Sequence, residues 1–209
     1  RGCGPAVLQP GRCPDDPVPG RTERPMKRKL FLTGPIGCGK STAILTAIGE
    51  KLPAFGGFLT KRFRDEDGQA IAFSLESPNG KQKAEFLDCR GLVPAIHMDV
   101  FETMAPELLK GKYLILDEIG GLELLCPAFT AALDTLLERH IPIIGVVKGE
   151  GPAGVMIQKL GLTKEYELAA NRFREKLCGD PDTLVYDCEE FDEEALRLAK
   201  AWVKEYANG

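Results

Sequence analysis

Residues 34–41 read Gly-Pro-Ile-Gly-Cys-Gly-Lys-Ser, a full match to the pattern G-x-x-x-x-G-K-[ST]. Such a loop handles phosphate. Its glycines let the backbone wrap closely, so that loop N–H groups and the positive end of the following helix can cradle anionic oxygens. The phosphate-binding set is therefore Gly34, Pro35, Ile36, Gly37, Cys38, Gly39, Lys40, Ser41 and Thr42. Lys40 is expected to reach the β- and γ-phosphates and the Ser41 hydroxyl to ligate Mg²⁺. Cys38 fills a variable slot as a small residue, where alkylation would block nucleotide binding.

A second cluster ends an apolar run, Tyr113-Leu114-Ile115-Leu116-Asp117-Glu118. A carboxylate at the C-terminal end of a parallel strand beside a phosphate loop holds Mg²⁺, which assigns Asp117 to the metal. Glu118, one residue on, is placed to orient or deprotonate an attacking water, a general base's work. Two solvated acids at a strand end are the plainer reading, and the phosphate loop upstream weighs against it. Adjacent Asp and Glu favour hydrolysis over transfer to a bound acceptor. Lys148, after the apolar run 143–147, lies where open sheets bind ligands and is a candidate phosphate or base contact. Arg62 and Arg64 share a face with Thr60 by strand alternation, and a solvated face is expected for them. His97 and His140 lack partners at metal-ligand spacing and receive no role.

These groups need elements to position them. Apolar β-type runs alternate with helix-period segments, the pattern of an α/β protein with a largely parallel sheet. Strands are expected at 30–33, 113–116 and 141–147, with helices at 40–51, 100–109, 127–139 and 191–206. Asp65-Glu66-Asp67-Gly68 between alternating runs at 58–64 and 69–75 signals a hairpin, with a third antiparallel strand at 81–87. A short helix is expected at 155–160 and a short strand at 165–168. Asp192-Glu193-Glu194 opens the last helix with the acids its N-terminus favours.

The 209 residues carry a net charge of -4, from 27 Lys and Arg against 31 Asp and Glu. Mild acidity argues against a nucleic-acid binder, whose affinity comes from clustered cations. No run approaches the roughly 18 consecutive apolar residues that span a bilayer, so no membrane partner is expected. Seven scattered cysteines without a C-x-x-C point to a reducing, cytoplasmic setting. Residues 1–25 are rich in Gly, Pro and Arg and are expected to be a disordered extension ahead of a nucleotide-handling domain at 26–209. A metal or redox arm using Cys3 and Cys13 is the rival reading, and two thiols alone make a poor zinc site.

The run Leu116-Asp117-Glu118-Ile119-Gly120-Gly121-Leu122-Glu123-Leu124 resembles the D-E-I-G-x-[ML]-E-[LM] signature of the THEP-type nucleoside-triphosphatases. Gly57-Phe58-Leu59-Thr60 is similar to that family's G-F-[YL]-T segment, and Asn171-Arg172 to its Asn-Arg pair, so the resemblance covers roughly residues 26–177. It implies a P-loop NTPase with a RecA-like, mostly parallel sheet flanked by helices, here with an inserted β-hairpin. It also implies slow Mg²⁺-dependent hydrolysis of ATP, GTP, CTP and UTP to the diphosphate and phosphate. Arg172 becomes the candidate for a charge-stabilising arginine in cis, against the plainer reading of a surface residue on a charged helix. Asn171 is a candidate base or ribose contact, and Glu123 either supports the metal or orients the loop. A cis arginine and the short chain favour a monomer.

The sequence departs from the family at Gln69-Ala70-Ile71-Ala72-Phe73, where R-x-G-F is usual, around His97-Met98-Asp99-Val100, and at Gly121, where many members carry Lys. All three lie outside the phosphate loop and the acidic pair. Two other readings share that loop: a nucleotide or small-molecule kinase, which needs an acceptor site, and a nucleotide-gated switch.

Overall fold

The computed structural model describes residues 26–106, 110–149, 160–162, 164–190 and 192–207. Their core is an eight-stranded sheet in the order β5-β4-β3-β2-β6-β7-β1-β8. The strands are β1 (Lys29–Thr33), β2 (Gly56–Arg64), β3 (Ala70–Glu76), β4 (Lys83–Asp88), β5 (Ala95–Ile96), β6 (Leu114–Ile119), β7 (Ile143–Val147) and β8 (Thr183–Asp187). The helices are α1 (Lys40–Ile48), α2 (Asp99–Met104), α3 (Pro127–Glu138), α4 (Lys164–Gly179) and α5 (Glu193–Tyr206). Strands β2, β6, β7, β1 and β8 pair in parallel. The β2–β3–β4–β5 segment extends one edge in antiparallel fashion.

The central parallel strands β1, β6 and β7 are buried at nearly every position because both faces are covered. Alternation divides them cleanly. Leu30, Leu32, Ile115, Ile144 and Val146 face one core with Ile44 and Ile48 of α1 and Leu198 and Trp202 of α5. Phe31, Leu114, Leu116, Ile143 and Val147 face the other, with Phe101 of α2, Phe129 and Leu133 of α3, and Tyr166 and Phe173 of α4. At roughly 25 cal/mol per Å² of apolar surface, each fully buried side chain of this size contributes about 1.5–3 kcal/mol, so these two layers hold the sheet edge rigid. Gly145 shows how close the strands pack, since a Cβ there would lie 2.3 Å from the Leu116 carbonyl oxygen.

The hairpin forms at the expected turn. Gly68 sits at φ +78° and its N–H donates to the Asp65 carbonyl at 3.0 Å. Asp192 caps α5, its Oδ1 accepting from the Ala195 N–H at 3.1 Å.

Several expectations are corrected. Residues 165–168 belong to α4 and not to a strand. Tyr166, Ala170, Phe173 and Leu177 repeat at helical spacing and form its buried stripe, whereas a four-residue window shows only alternation. Strand β8, absent from the sequence reading, pairs with β1 from Lys29↔Thr183 to Thr33↔Asp187. The helix expected at 100–109 is described as α2, followed by residues outside the described set at 107–109. The expectations for residues 1–25, and for a helix at 155–160 up to residue 159, also lie outside the described residues.

Candidate nucleotide site

The phosphate loop connects β1 to α1. Its glycines take backbone that side chains resist, with φ +128° at Gly34, +86° at Gly37 and +94° at Gly39. Gly34 is fixed twice over, because a Cβ there would also lie 2.4 Å from the Cys188 carbonyl oxygen at the end of β8. Gly39 precedes α1 with no side chain capping the helix and no acid in its first turn. The leading N–H groups are thus open to an anion. Lys40 folds back over the loop, its Nζ donating to the carbonyls of Gly34 at 3.1 Å and Pro35 at 2.5 Å.

The loop borders a cleft of about 440 Å³. Gly34, Ile36, Gly37, Gly39, Lys40, Ser41 and Thr42 line one side. Pro35 and Cys38 of the same segment do not line it; Cys38 is buried in the core beside Cys188, with its Sγ 3.4 Å from Lys40 Nζ. Thr60, Arg62, Arg64, Glu118 and Lys148 close the other side. The face of β2 expected to be solvated therefore turns toward the cleft. The parallel pairing of β2 with β6, which carries Glu118, brings that face to the cleft, a placement that alternation alone does not specify.

At the end of β6 the ladder breaks. Leu116 pairs with Gly145 but Ile119 pairs with Val147, so β6 carries one extra residue against β7. That bulge contains Asp117 and Glu118. Among the described residues Glu118 is the non-glycine with positive φ, at +63°. Strain of this kind costs on the order of 1–3 kcal/mol and is held only by its surroundings, a pattern that concentrates at functional sites. The adjacent carboxylates meet different partners. Asp117 is 5% exposed and accepts from the Ser41 hydroxyl at 2.7 Å. Burial pushes its pKa up to about 6, with the Ser41 hydrogen bond opposing and the Glu118 charge adding to the rise. Glu118 turns into the cleft between two cations, Arg62 Nη2 at 3.7 Å and Lys148 Nζ at 3.5 Å.

The segment after the bulge is gripped from three sides. Glu123 is buried, and its Oε1 accepts from the N–H groups of Gly120 at 2.5 Å and Gly121 at 2.6 Å. Burial raises its pKa, opposed by the Lys148 charge. It orients the loop. Tyr166 of α4 donates its hydroxyl to the Gly120 carbonyl at 2.9 Å. The Lys148 N–H donates to the Ile119 carbonyl at 2.8 Å. At Gly121, where the related pattern carries Lys, the Lys148 ammonium stands 3.3 Å from the place a Cβ would take.

Arg172 is exposed on α4. Two residues along a helix turn a side chain by roughly 200°, so Arg174 takes the opposite side. Its Nη1 lies 3.5 Å from the Lys148 carbonyl, and its Nη2 donates to Asn171 Oδ1. The structure brings Lys40, Ser41, Asp117, Glu118 and Lys148 together; it leaves Arg172 outside and ties Asn171 to Arg174. Sequence reasoning missed Tyr166 and Arg174. Their signal was the α4 stripe, visible only over a longer window.

The Ser41 hydroxyl and the Asp117 carboxylate are hard oxygen donors already drawn together at 2.7 Å, a set that suits Mg²⁺. A loop of open amides, Lys40, Ser41 with Asp117 buried behind it, and a strained Glu118 thus border one cleft, a donor set that suits phosphate oxygens.

The model of a family described as NTPase matches residues 29–178. The chain belongs to this NTPase family. The cancer-related nucleoside-triphosphatase homolog of Mus musculus is 33% identical, the match covering 58% of this chain and 76% of that protein. The nucleoside-triphosphatase THEP1 of Thermococcus kodakarensis is 25% identical, over 58% of this chain and 77% of that protein. The crystal structure of THEP1 from the hyperthermophile Aquifex aeolicus superposes with a TM-score of 0.55 at 15% identity, covering 81% of this chain and 95% of that one. That likeness supports the fold, which is the P-loop arrangement the resemblance implied. Among the described residues no helix is long and apolar enough to cross a membrane.

Proposed function

We propose that this NTPase-family chain hydrolyses nucleoside triphosphates to diphosphate and phosphate with Mg²⁺ and little preference among bases. The observation that carries the reading is Glu118, set in a strained bulge beside the Ser41–Asp117 pair and turned into the phosphate cleft. A carboxylate so placed can accept a proton from water attacking the γ-phosphorus. Lys40, released from the loop carbonyls, and the amides at the start of α1 hold the phosphates. Ser41 and Asp117 would hold Mg²⁺, which supplies positive charge to the phosphate oxygens. Lys148, with Arg174 behind it, adds positive charge at the opposite edge of the cleft. Weak base preference follows from the resemblance and from the lack of an N-K-x-D string for reading guanine. We place the enzyme in the cytoplasm as a monomer; sedimentation tests the latter, and a stable ring would reassign the arginine.

The test is phosphate release from ATP, GTP, CTP and UTP, with and without Mg²⁺, by the chain and its Glu118→Gln variant. Release from several triphosphates that needs Mg²⁺ and is lost in the variant supports the reading. Binding without release from any of them overturns it.

A further inference from the structure

A second cavity, of about 400 Å³, opens beside the phosphate cleft. The two share Ile36, Thr60, Arg62, Glu118 and Lys148. Past those shared residues the second cavity is walled by Phe58, Phe73, Phe86 and Phe129, from β2, β3, β4 and α3. Strand order gives its position. The phosphate loop follows β1, while β2, β3 and β4 lie on the other side of β6. The cavity therefore extends outward from Glu118, away from the β1–β8 side.

Hydrolysis has no use for this space. A water occupies roughly 30 Å³, and phenylalanine walls do nothing to hold one. The volume instead falls within the roughly 300–1,000 Å³ of small-molecule sites, which pair apolar walls with a few converging polar groups. The polar groups here are particular. Glu123, also in the lining, is already engaged by the Gly120 and Gly121 amides. Arg62 holds its guanidinium carbon 5.3 Å from the centre of the Phe73 ring, and its Nε is buried without a hydrogen-bond partner among the described residues. A buried N–H left unpaired is costly, so a ligand oxygen placed there would be favoured. Ile36, 55% exposed at the junction of the two spaces, offers an apolar contact at the entrance. A charged group placed among the four phenylalanines, beyond the rim that Arg62, Glu118 and Lys148 form, would lose its hydration without compensation. The fitting ligand has a neutral, ring-bearing body and one oxygen that reaches Arg62 and Glu118.

We propose that this cavity is an acceptor site, taking a neutral aryl alcohol to which the γ-phosphoryl group is passed in place of water. The assignment rests on the reading of Glu118 as the base facing the terminal phosphate. The alcohol oxygen forms a bond to the γ-phosphorus as the bond from that phosphorus to the β–γ bridging oxygen breaks. The hydroxyl proton passes to the Glu118 carboxylate. The products are the nucleoside diphosphate and an aryl-alkyl phosphate, with no oxidant or further reactant.

The test incubates the full chain with Mg²⁺, ATP labelled at the γ-phosphate, and 2-(2-naphthyl)ethanol or 2-phenylethanol, then separates labelled phosphate ester from free phosphate. Labelled ester is expected, with the ester-to-phosphate ratio falling at least tenfold in Ala70→Trp, which narrows the cavity wall. In the unmutated chain 2-ethylnaphthalene, which lacks the hydroxyl, should lower ester formation competitively, so the outcome does not depend on the variant folding. Free phosphate alone, unaffected by either alcohol, overturns the acceptor site and leaves hydrolysis standing. Ester without free phosphate supports the acceptor site and overturns hydrolysis as the function. Neither product overturns both. Ester whose yield ignores Ala70→Trp and 2-ethylnaphthalene alike overturns the cavity as its origin.

Discussion

Tyr166 donates its buried hydroxyl to the carbonyl oxygen of Gly120 at 2.9 Å, tying α4 to the segment that follows the acidic pair. The contact spans 46 positions in sequence and ends two residues from Glu118. Tyr166→Phe keeps the ring and leaves that carbonyl unpaired, at a cost of about 1–3 kcal/mol. The expected result is a lower urea midpoint together with slower turnover, and an unchanged midpoint would remove Tyr166 from the support of this loop.

Binding and chemistry should separate at the cleft. Lys40→Ala is expected to abolish tight triphosphate binding, because no other side chain in the loop carries positive charge. Glu118→Gln should retain binding and lose about 10²- to 10⁴-fold in rate, the usual scale for a general base. Nucleotide titration beside single-turnover phosphate release distinguishes them, and equal losses of affinity in both variants would count against Glu118 as base.

Arg172 and Arg174 give opposite expectations. Arg172 is exposed, and Arg172→Ala should change the rate by no more than about twofold, as surface changes do. Arg174 reaches the Lys148 carbonyl, and Arg174→Ala should slow turnover by about 10²-fold if its charge serves the transition state. Parallel kcat measurements decide, and the reverse pattern would return the role to Arg172.

Asp117 makes the site sensitive to acid. Its pKa is raised from 3.8 to about 6 by burial, so the folded chain holds a proton there that the unfolded chain releases. For the metal-free protein this group's stabilisation is full below pH 3.8 and is lost as pH rises through about 6. Mg²⁺ needs the ionised carboxylate, so its affinity should weaken by about tenfold for each pH unit below that pKa and level off above it. Mg²⁺ titrations from pH 5 to 8 check the slope, and Asp117→Asn should flatten it.

Gly34→Ala should be poorly tolerated. The added Cβ would meet the Cys188 carbonyl oxygen at 2.4 Å on backbone at φ +128°. Thermal unfolding is expected to shift down by several degrees, in line with a loss of about 1–3 kcal/mol from a strained backbone position. Gly37→Ala, with nothing within 4 Å of its Cβ, should be milder.

Local chemistry was legible in the sequence. The spacing of Gly34, Gly39, Lys40 and Ser41 specifies a phosphate loop because glycine backbone freedom and one lysine are properties of neighbouring residues. The apolar run ending in Asp117 and Glu118 likewise announces a buried strand with acids at its tip. Strand β8 was not legible, since Thr183–Asp187 offers only the three-residue run Leu184-Val185-Tyr186, too short to show a period, and it forms by pairing with β1. The bulge at Asp117 and Glu118 comes from the register of β6 against β7, a relation between distant segments. The same holds for Arg62, which the pairing of β2 with β6 brings to the cleft, and for Arg174, whose reach to the Lys148 carbonyl depends on which side of α4 buries Tyr166 and Phe173. Sequence by itself determined which residues could bind phosphate and metal; tertiary packing decided which charges stand beside Glu118, because register, helix rotation and sheet order are fixed only when distant apolar surfaces meet.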